Sequence, residues 1–581
     1  MSDRLEYDVL LVGASPSNLA LAHHLVDLAK DSGTALTLAI LEKAPEIGNH
    51  VLSGAVSNPR VLKKLFPNYV ADGGPMEGEC AWSAFAVLGD RGKWDVPRLL
   101  VPPGMVKEGY WILTLSHVVK WMADQLLEKA AALENVEVEL LPGFAAHAVV
   151  FEGEGDTERV AGVQVVKEAT GSPDEENIYG KVTCFGDKGF ISRDIVEKYS
   201  LRDNPQIWSV GVKEVWELTE DKGLNGKVWH TMGYPMVDGS FGGGFVYGMK
   251  DNRLTIGMVI SLDSPNPNLN PQQLLQEYKK HPWIQDLIKG GKLFKYGAAV
   301  LPEGGYYSLP KKFAVNSAML LGDALGVLDI SNLSGIDKSM ECGYQAAEIL
   351  HEALQKGDFS EAALSGYKDL VMSGFVGKEL RQGRYFRKAW QENPRLLSDY
   401  LPVVMDGIDA GNPIGGMISV GLKNNPIQAA TDALRLKTLM DGNKDIGPVT
   451  YQRDHEHIVS DFAPPRTPGI SSFEKDTVYS RPDAVFYAYP NYHEGNEHID
   501  EFNANTCVAC ITRYDKLGKD VPCVSDCTAE VHRVDVVSDL RKHGMSLENC
   551  IQCRTCEIVC PEVNLRVRAA EQGSGPDFMG L

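Results

Sequence analysis

Residues 549–561 read N-C-I-Q-C-R-T-C-E-I-V-C-P and place cysteines at 550, 553, 556 and 560. This C-x2-C-x2-C-x3-C-P spacing suits a cubane iron–sulfur cluster. Two residues between thiolates let a tight turn aim successive sulfurs at different corners of one small cluster, while the fourth cysteine points away to ligate a second cluster where there are two. A further group lies upstream, Cys507, Cys510, Cys523 and Cys527, spaced C-x2-C-x12-C-x3-C. The crossed-ligand rule then assigns Cys527, Cys550, Cys553 and Cys556 to one 4Fe–4S cluster and Cys507, Cys510, Cys523 and Cys560 to another. Zinc is the simpler alternative, but one tetrahedral ion usually draws on two separated C-x2-C knuckles rather than on a C-x2-C-x2-C run. Disulfides fit less well, because residues so close in sequence bridge with difficulty and the N-terminus carries no sign of export.

What must position such a site is a large soluble chain. Its 581 residues, 44% hydrophobic and 23% charged, allow two or three domains with sizeable cores. A formal net charge of −21 argues against nucleic acid, whose phosphates it would repel, and leaves a protein or a small molecule as partner. The other three cysteines, Cys80, Cys184 and Cys342, are scattered and read as buried small hydrophobes, so the compartment is expected to be reducing. The N-terminus runs straight into a strand, without the apolar core of a signal or the Arg/Ser-rich look of a transit peptide, which suggests a bacterial or archaeal cytoplasmic protein. No apolar run reaches the length that spans a bilayer, so any membrane association is expected at the surface.

Residues 7–12 form a continuous apolar strand, 17–30 have helical periodicity, and 36–41 form a second buried strand that ends at Glu42. Between the first strand and the helix lies G-A-S-P-S-N, where a dinucleotide-binding fingerprint would put glycines at 13, 15 and 18. Only Gly13 is present: Ser15 adds a Cβ where backbone approaches a pyrophosphate, and Asn18 adds bulk where helix and strand pack closely. Glu42 is placed to accept hydrogen bonds from an adenosine ribose. Two more strands end in glycine turns, at 182–189 and at 319–326, and the latter carries Asp323 in a Gly-Asp pair suited to a ribityl hydroxyl. Together they predict one nucleotide crevice interrupted by another domain.

Residues 115–133 read as an amphipathic helix, 136–141 as a strand and 145–166 as a hairpin. From 206 to 321 strands and turns dominate, and the Gly242, Gly243 and Gly244 run marks a bulge or a close approach of backbone to a ligand. Residues 346–440 are mainly helical; within them 401–422 is apolar but interrupted by glycine and proline, a packed loop or a membrane-surface contact. The stretch 441–502 reads as a wrapping linker, with His455, His457, His493 and His498 in or beside it as solvated histidines or, less simply, metal ligands.

The motifs L-E-K-A-P-E-I-G-N-H-V-L-S-G-A-V (41–56), G-V-K-E-V-W-E-L (211–218), F-G-G-G-F-V-Y (241–247), Y-G-A-A-V-L-P-E-G-G-Y-Y-S-L-P (296–310) and N-C-I-Q-C-R-T-C-E-I (549–558) span nearly the whole chain. In them it resembles the electron-transfer flavoprotein:quinone oxidoreductases. The resemblance implies an α/β plus α+β architecture: a Rossmann-like FAD domain (1–60, 110–200 and 318–360) interrupted by a mixed-sheet quinone domain (61–109 and 201–317). A helical region (361–440), the linker (441–502) and a ferredoxin-like iron–sulfur domain (503–581) would follow. It implies FAD held by Gly13, Ser15, Glu42, His50, Ser53, Gly54 and Asp323, and quinone at Gly242 and Gly243. It also implies a peripheral position on the cytoplasmic face of a bacterial or archaeal inner membrane, with 101–105 and part of 401–422 in its surface. The family's single cluster corresponds to Cys527, Cys550, Cys553 and Cys556, and the second cubane would be an addition.

The function so implied is electron passage from reduced electron-transfer flavoprotein to a membrane quinone, through flavin and clusters. Two alternatives stand beside it: the quinone-side arm of an electron-bifurcating flavoprotein complex, and a flavin-free ferredoxin-type carrier. No single acid or base residue is required by this reading.

Overall fold

A computed structural model describes residues 4–54, 56–166, 175–237, 239–264, 269–442, 445–449, 474–493, 497–537, 540–570 and 573–581. His455 and His457, with residues 450–473 of the expected linker, lie outside the described residues.

The first strand, Glu6–Val12, runs parallel to Leu36–Glu42 on one side and to Glu175–Phe185 on the other. Val136–Pro142 extends this sheet beyond Leu36–Glu42, and Ala318–Leu320 extends it beyond Glu175–Phe185, both also parallel. Strand order therefore reverses at Glu6–Val12, and in open parallel sheets ligands bind in the crevice at the carboxyl ends around such a reversal. The apolar character of these strands follows from their place: Val9, Leu10, Leu38, Ile40 and Val182 are fully buried. The hairpin Ala145–Glu152/Arg159–Val166 branches from the sheet at Glu175–Phe185, to which Arg159–Val166 runs antiparallel.

Helix Pro16–Ser32 opens with Ser15 as its N-cap and Pro16 in its first turn, and closes on Gly33 in the left-handed conformation. Helix Ile336–Lys356 lies against it so closely that a Cβ on Gly343 would come 1.8 Å from the Ser17 carbonyl oxygen. That approach brings the Gly322–Ala324 turn, and with it Asp323, to the crevice opened by Gly13.

A seven-stranded mixed sheet follows, in the order Lys292–Pro302, Trp208–Glu217, Arg253–Ser261, Gly242–Gly248, Lys227–Gly233, Trp82–Leu88, Lys93–Asp95. All neighbours are antiparallel except Lys227–Gly233 with Trp82–Leu88. Helix Pro271–Lys280 packs on one face through a fully buried pair, Lys279 Nζ donating to Glu214 Oε1 at 2.8 Å. The opposite face carries Ser209, Gly211 and Lys213 beside Ser261, Val259 and Gly257, residues paired across adjacent strands and so on one side of the pleat.

The cysteine-bearing lobe consists of helices Ala504–Lys516 and Pro522–Ser525, the hairpin His532–Val537/Leu540–Met545, helix Thr555–Val559 and strand Leu565–Val567. That last strand pairs with Ile499–Glu501. The tail then returns to the front of the molecule. Phe578 and Leu581 are buried, the Phe578 N–H donates to the Asn49 carbonyl at 2.6 Å, and the Gly580 N–H donates to Ser116 Oγ at 3.1 Å. Among the described residues no helix is long and apolar enough to cross a membrane.

Candidate functional site

One cavity of about 430 Å³ runs from the crevice to the mixed sheet, and every residue singled out for flavin or quinone lines it: Gly13, Ser15, Glu42, His50, Ser53, Gly54, Asp323, Gly242 and Gly243. Ile551 and Gln552, from the middle of the C-x2-C-x2-C run, line it as well.

At the crevice, Gly13 turns with φ +91° and donates its N–H to the Leu41 carbonyl at 2.8 Å. Glu42 accepts from the Ala14 and Ala44 N–H groups at 3.0 and 2.9 Å, which fixes its carboxylate at the strand end. The two departures from the glycine fingerprint are accommodated rather than disruptive. Asn18 Nδ2 donates to the carbonyls of Val12 and Gly13 at 2.9 and 2.8 Å, and the Asn18 N–H caps onto Ser15 Oγ. The room comes from Gly186, at the end of the third crevice strand, where a Cβ would lie 2.3 Å from Ser15 Oγ and 2.7 Å from Asn18 Cγ. Gly186 is a part of the fingerprint that local spacing cannot reveal.

Deeper in, both ring nitrogens of His50, the Ser53 hydroxyl and Asp187 Oδ1 are buried with no hydrogen-bond partner among the described residues. Unmet polar groups of this kind are costly unless a ligand satisfies them, so the cavity fits a polar cofactor such as FAD. Burial holds His50 neutral, well below the usual imidazole range, with Lys43 adding to the effect. Burial likewise raises the Asp323 carboxyl, opposed by the Lys188 charge and reinforced by Asp187. Lys213 reaches across from the mixed sheet to donate to the Ser53 carbonyl at 2.9 Å, and burial pushes its ammonium down to about 7.

The glycine run fits the sheet for reasons of its own. A Cβ on Gly242 would lie 2.3 Å from the Val259 carbonyl oxygen, one on Gly243 2.4 Å from that of Thr231, and one on Gly244 2.5 Å from the Tyr278 ring. Around this end the cavity is walled by Phe241, Leu301, Phe386, Trp390 and Leu397, with Glu303 among them. Glu303 accepts from the Ser209 hydroxyl, and burial pushes its carboxyl up to about 7.

The eight cysteines gather into two sets. Burial raises the Cys527, Cys550 and Cys556 thiols, and each is raised further by Cys553 beside it. Burial also raises Cys507, Cys510 and Cys523, and each of these feels Cys560. Asn564 joins the second set directly: its backbone N–H donates to Cys560 Sγ and its side-chain amide to Cys507 Sγ, both at 3.2 Å. In the first set the Val531 and Gln552 N–H groups donate to Cys527 and Cys550 Sγ, both at 3.3 Å. Crowded, buried thiols of this kind become thiolates only where cations hold them, which is what an iron–sulfur cluster supplies. Two histidines add donors to the second set. His532 and His543 lie with Cys523, and His543 with Glu501 and Cys507, in groups whose donor atoms are within 4.8 Å of one another.

The first set is coupled to the crevice. Gln552, in the left-handed conformation at φ +52°, accepts from Lys43 Nζ at 2.5 Å and donates to the Ser574 carbonyl at 3.1 Å. The Val300 N–H donates to the Cys553 carbonyl at 3.2 Å, and Tyr296 Oη to that of Thr528 at 2.9 Å, so the mixed sheet holds the same set from another side. Residue patterns do not show Lys43, Gln552 or Asn564, because their roles rest on contacts between segments far apart in the chain.

The family description "ETF-QO, ubiquinone-binding" matches residues 208–301, the strands that carry this end of the cavity. The chain is 29% identical to electron transfer flavoprotein-ubiquinone oxidoreductase of Pseudomonas aeruginosa, over 99% of both chains. It is 30% identical to the mitochondrial electron transfer flavoprotein-ubiquinone oxidoreductase of Caenorhabditis elegans, over 99% of this chain and 92% of that one. In fold it is similar to a geranylgeranyl bacteriochlorophyll reductase-like protein from Thermoplasma acidophilum, with a TM-score of 0.53 and 16% identity, over 74% of this chain and all of that one.

Proposed function

Because this chain belongs to the electron transfer flavoprotein-ubiquinone oxidoreductase family, we propose that it is an oxidoreductase that takes electrons from reduced electron-transfer flavoprotein and passes them to a quinone. The observation that carries this reading is the single cavity, lined at one end by the crevice, at the other by the glycine run of the mixed sheet, and at its side by the cluster motif. Bound FAD supplies a centre that exchanges electrons singly or in pairs, and iron–sulfur clusters supply single-electron steps. The residues' part is to hold and isolate these groups. Gly13, Ser15, Glu42 and Asp323 would bind the nucleotide and ribityl parts of FAD, and His50, Ser53 and Gly54 would lie toward its ring. Gly242 and Gly243 would meet the quinone. The flavin-free alternative loses its motive, since Gly186 makes the room that Ser15 and Asn18 take up.

On this reading Cys527, Cys550, Cys553 and Cys556 hold one 4Fe–4S cluster, and Cys507, Cys510, Cys523 and Cys560 hold another. The two thiol sets and the bridging Asn564 support that division. The nearby His532 and His543 favour a second reading for the added set alone, a mononuclear cation on mixed sulfur and imidazole ligands. A peripheral place on a membrane surface is supported by Leu99, Leu100, Ile414, Ile418, Leu422 and Ile427, large apolar side chains that are all more than half exposed. The division we propose is 1–60, 110–200 and 318–360 for flavin, 61–109 and 201–317 for quinone, and 503–581 for the clusters; Ala314–Val315, inside the quinone range, pairs with Ala318–Leu320 of the first sheet.

The test is flavin and iron content per chain on one anaerobic preparation, followed by quinone reduction with reduced electron-transfer flavoprotein. About eight irons and one FAD are expected; about four irons would move the added set to the second reading, and absence of flavin would overturn the oxidoreductase. The pairing is checked by Cys560→Ser, which is expected to abolish the paramagnetic signal of the added cluster and leave that of the other. Loss of both signals would count against it.

A further inference from the structure

We propose that Glu303 delivers a proton to the quinone, as the catalytic acid at the glycine-run end of the cavity; this rests on the quinone-reducing function above. Four carboxylates line the cavity. Glu42, Asp187 and Asp323 follow strands of the parallel sheet, at the nucleotide end, whereas Glu303 follows the edge strand Lys292–Pro302 of the mixed sheet. Phe241, Leu301, Phe386, Trp390 and Leu397 also line the cavity. It is 5% exposed, and its position is fixed from two sides: its N–H donates to the Ile207 carbonyl at 2.7 Å, and its Oε2 accepts from the Ser209 hydroxyl.

The charged groups that face it explain why it can carry a proton. Arg387 is the nearby cation, and it is already engaged: its Nη2 donates to Asp263 Oδ1 at 2.6 Å and to Ser261 Oγ at 2.7 Å. Asp263 is the nearby anion, so the pair presents little net charge to Glu303. Burial outweighs the opposing Ser209 hydrogen bond and Arg387 charge, and the carboxyl keeps its proton up to about pH 7, as a general acid working near neutrality needs. The alternatives are less suited. Burial holds His230 neutral, down at about 3, and Lys213 is turned to the Ser53 carbonyl.

The step balances. Converting a quinone to a quinol consumes two electrons and two protons. FAD, reduced by two electrons, would supply the electrons and one of the protons. The second proton comes from Glu303: its O–H bond breaks as the quinone oxygen gains the hydrogen, leaving a carboxylate that still accepts from Ser209. A proton from solvent then restores the acid.

The experiment compares the full-length, flavin-loaded protein with its Glu303→Gln and Glu303→Asp variants in two measurements. In the first, quinol formation is followed across pH after the flavin has been reduced. Glu303→Gln is expected to slow it by about 100-fold or more and to abolish the decline above neutral pH, and Glu303→Asp to restore part of both. In the second, redox-difference infrared spectra are expected to show a carboxylic-acid C=O band that responds to quinone reduction in the unsubstituted protein, shifts in Glu303→Asp and is missing in Glu303→Gln. Quinol formation within about twofold of the unsubstituted rate, with an unchanged pH profile, would overturn the assignment. So would the lack of any such band in the unsubstituted protein, which needs no variant to fold. If the unsubstituted protein reduces its flavin but never a quinone, the function fails, and the Glu303 assignment falls with it.

Discussion

Asn18 closes the first turn of the crevice with side-chain hydrogen bonds where a glycine would close it by having no side chain. Restoring the consensus with Asn18→Gly removes two buried hydrogen bonds and adds a glycine to a helix. A loss of about 2–3 kcal/mol is expected, read as a lower urea midpoint together with weaker flavin retention. Glu303 makes a second prediction at this scale. Its folded carboxyl is raised to about 7, so the folded chain holds this proton more tightly than the unfolded one. The resulting stability is complete below the ordinary carboxyl range and is lost as pH rises to about 7, a change of about 3 kcal/mol. Denaturation at about pH 5 and pH 8 is expected to show that fall in the unsubstituted protein and not in Glu303→Gln. Gly13 and Glu42 stand out in the sequence because the β-α-β unit around them is local, and the cysteines because their residue type and spacing are distinctive. Gly186 and the Asn564 side chain do not, since they meet Ser15, Asn18 and Cys507 far away in the chain.

Elements that bury both faces announce themselves. The expected strands at 7–12 and 36–41 correspond to Glu6–Val12 and Leu36–Glu42, whose mostly apolar runs leave little choice, while 136–141 corresponds to Val136–Pro142, an alternating strand that is only partly buried. The interrupted stretch at 401–422 was less legible. Pro413 opens helix Pro413–Lys423, and Pro402 sits where the π-helical turn Leu396–Tyr400 passes into helix Leu401–Asp409. Its glycines Gly407 and Gly416 face each other, where a Cβ on Gly407 would lie 2.3 Å from the Gly416 Cα; they are a contact between helices, not a gap in one. Gly343 plays the same part between Ile336–Lys356 and Pro16–Ser32. Gly343→Ala is expected to force these helices apart at a cost of about 1–3 kcal/mol, measured as a lowered melting temperature, with flavin loss following because the Asp323 turn moves with the helix.

Over the whole molecule the net charge of −21 sets how a partner arrives. A donor with a basic face would be steered in, and the second-order rate of flavin reduction is expected to fall by about tenfold or more as salt rises from low to high ionic strength. A salt-independent rate would mean that charge does not guide the encounter. The cavity also says something about how the molecule is made. Its walls begin at Val12 and end at Phe578, so the ribosome must release almost the whole chain before the pocket that starts to form first can be closed. Until then the crevice is open along the side where Ile551, Gln552 and Phe578 will sit. Closure of the pocket therefore waits on the C-terminal lobe, whose Ile551, Gln552 and Phe578 complete its wall.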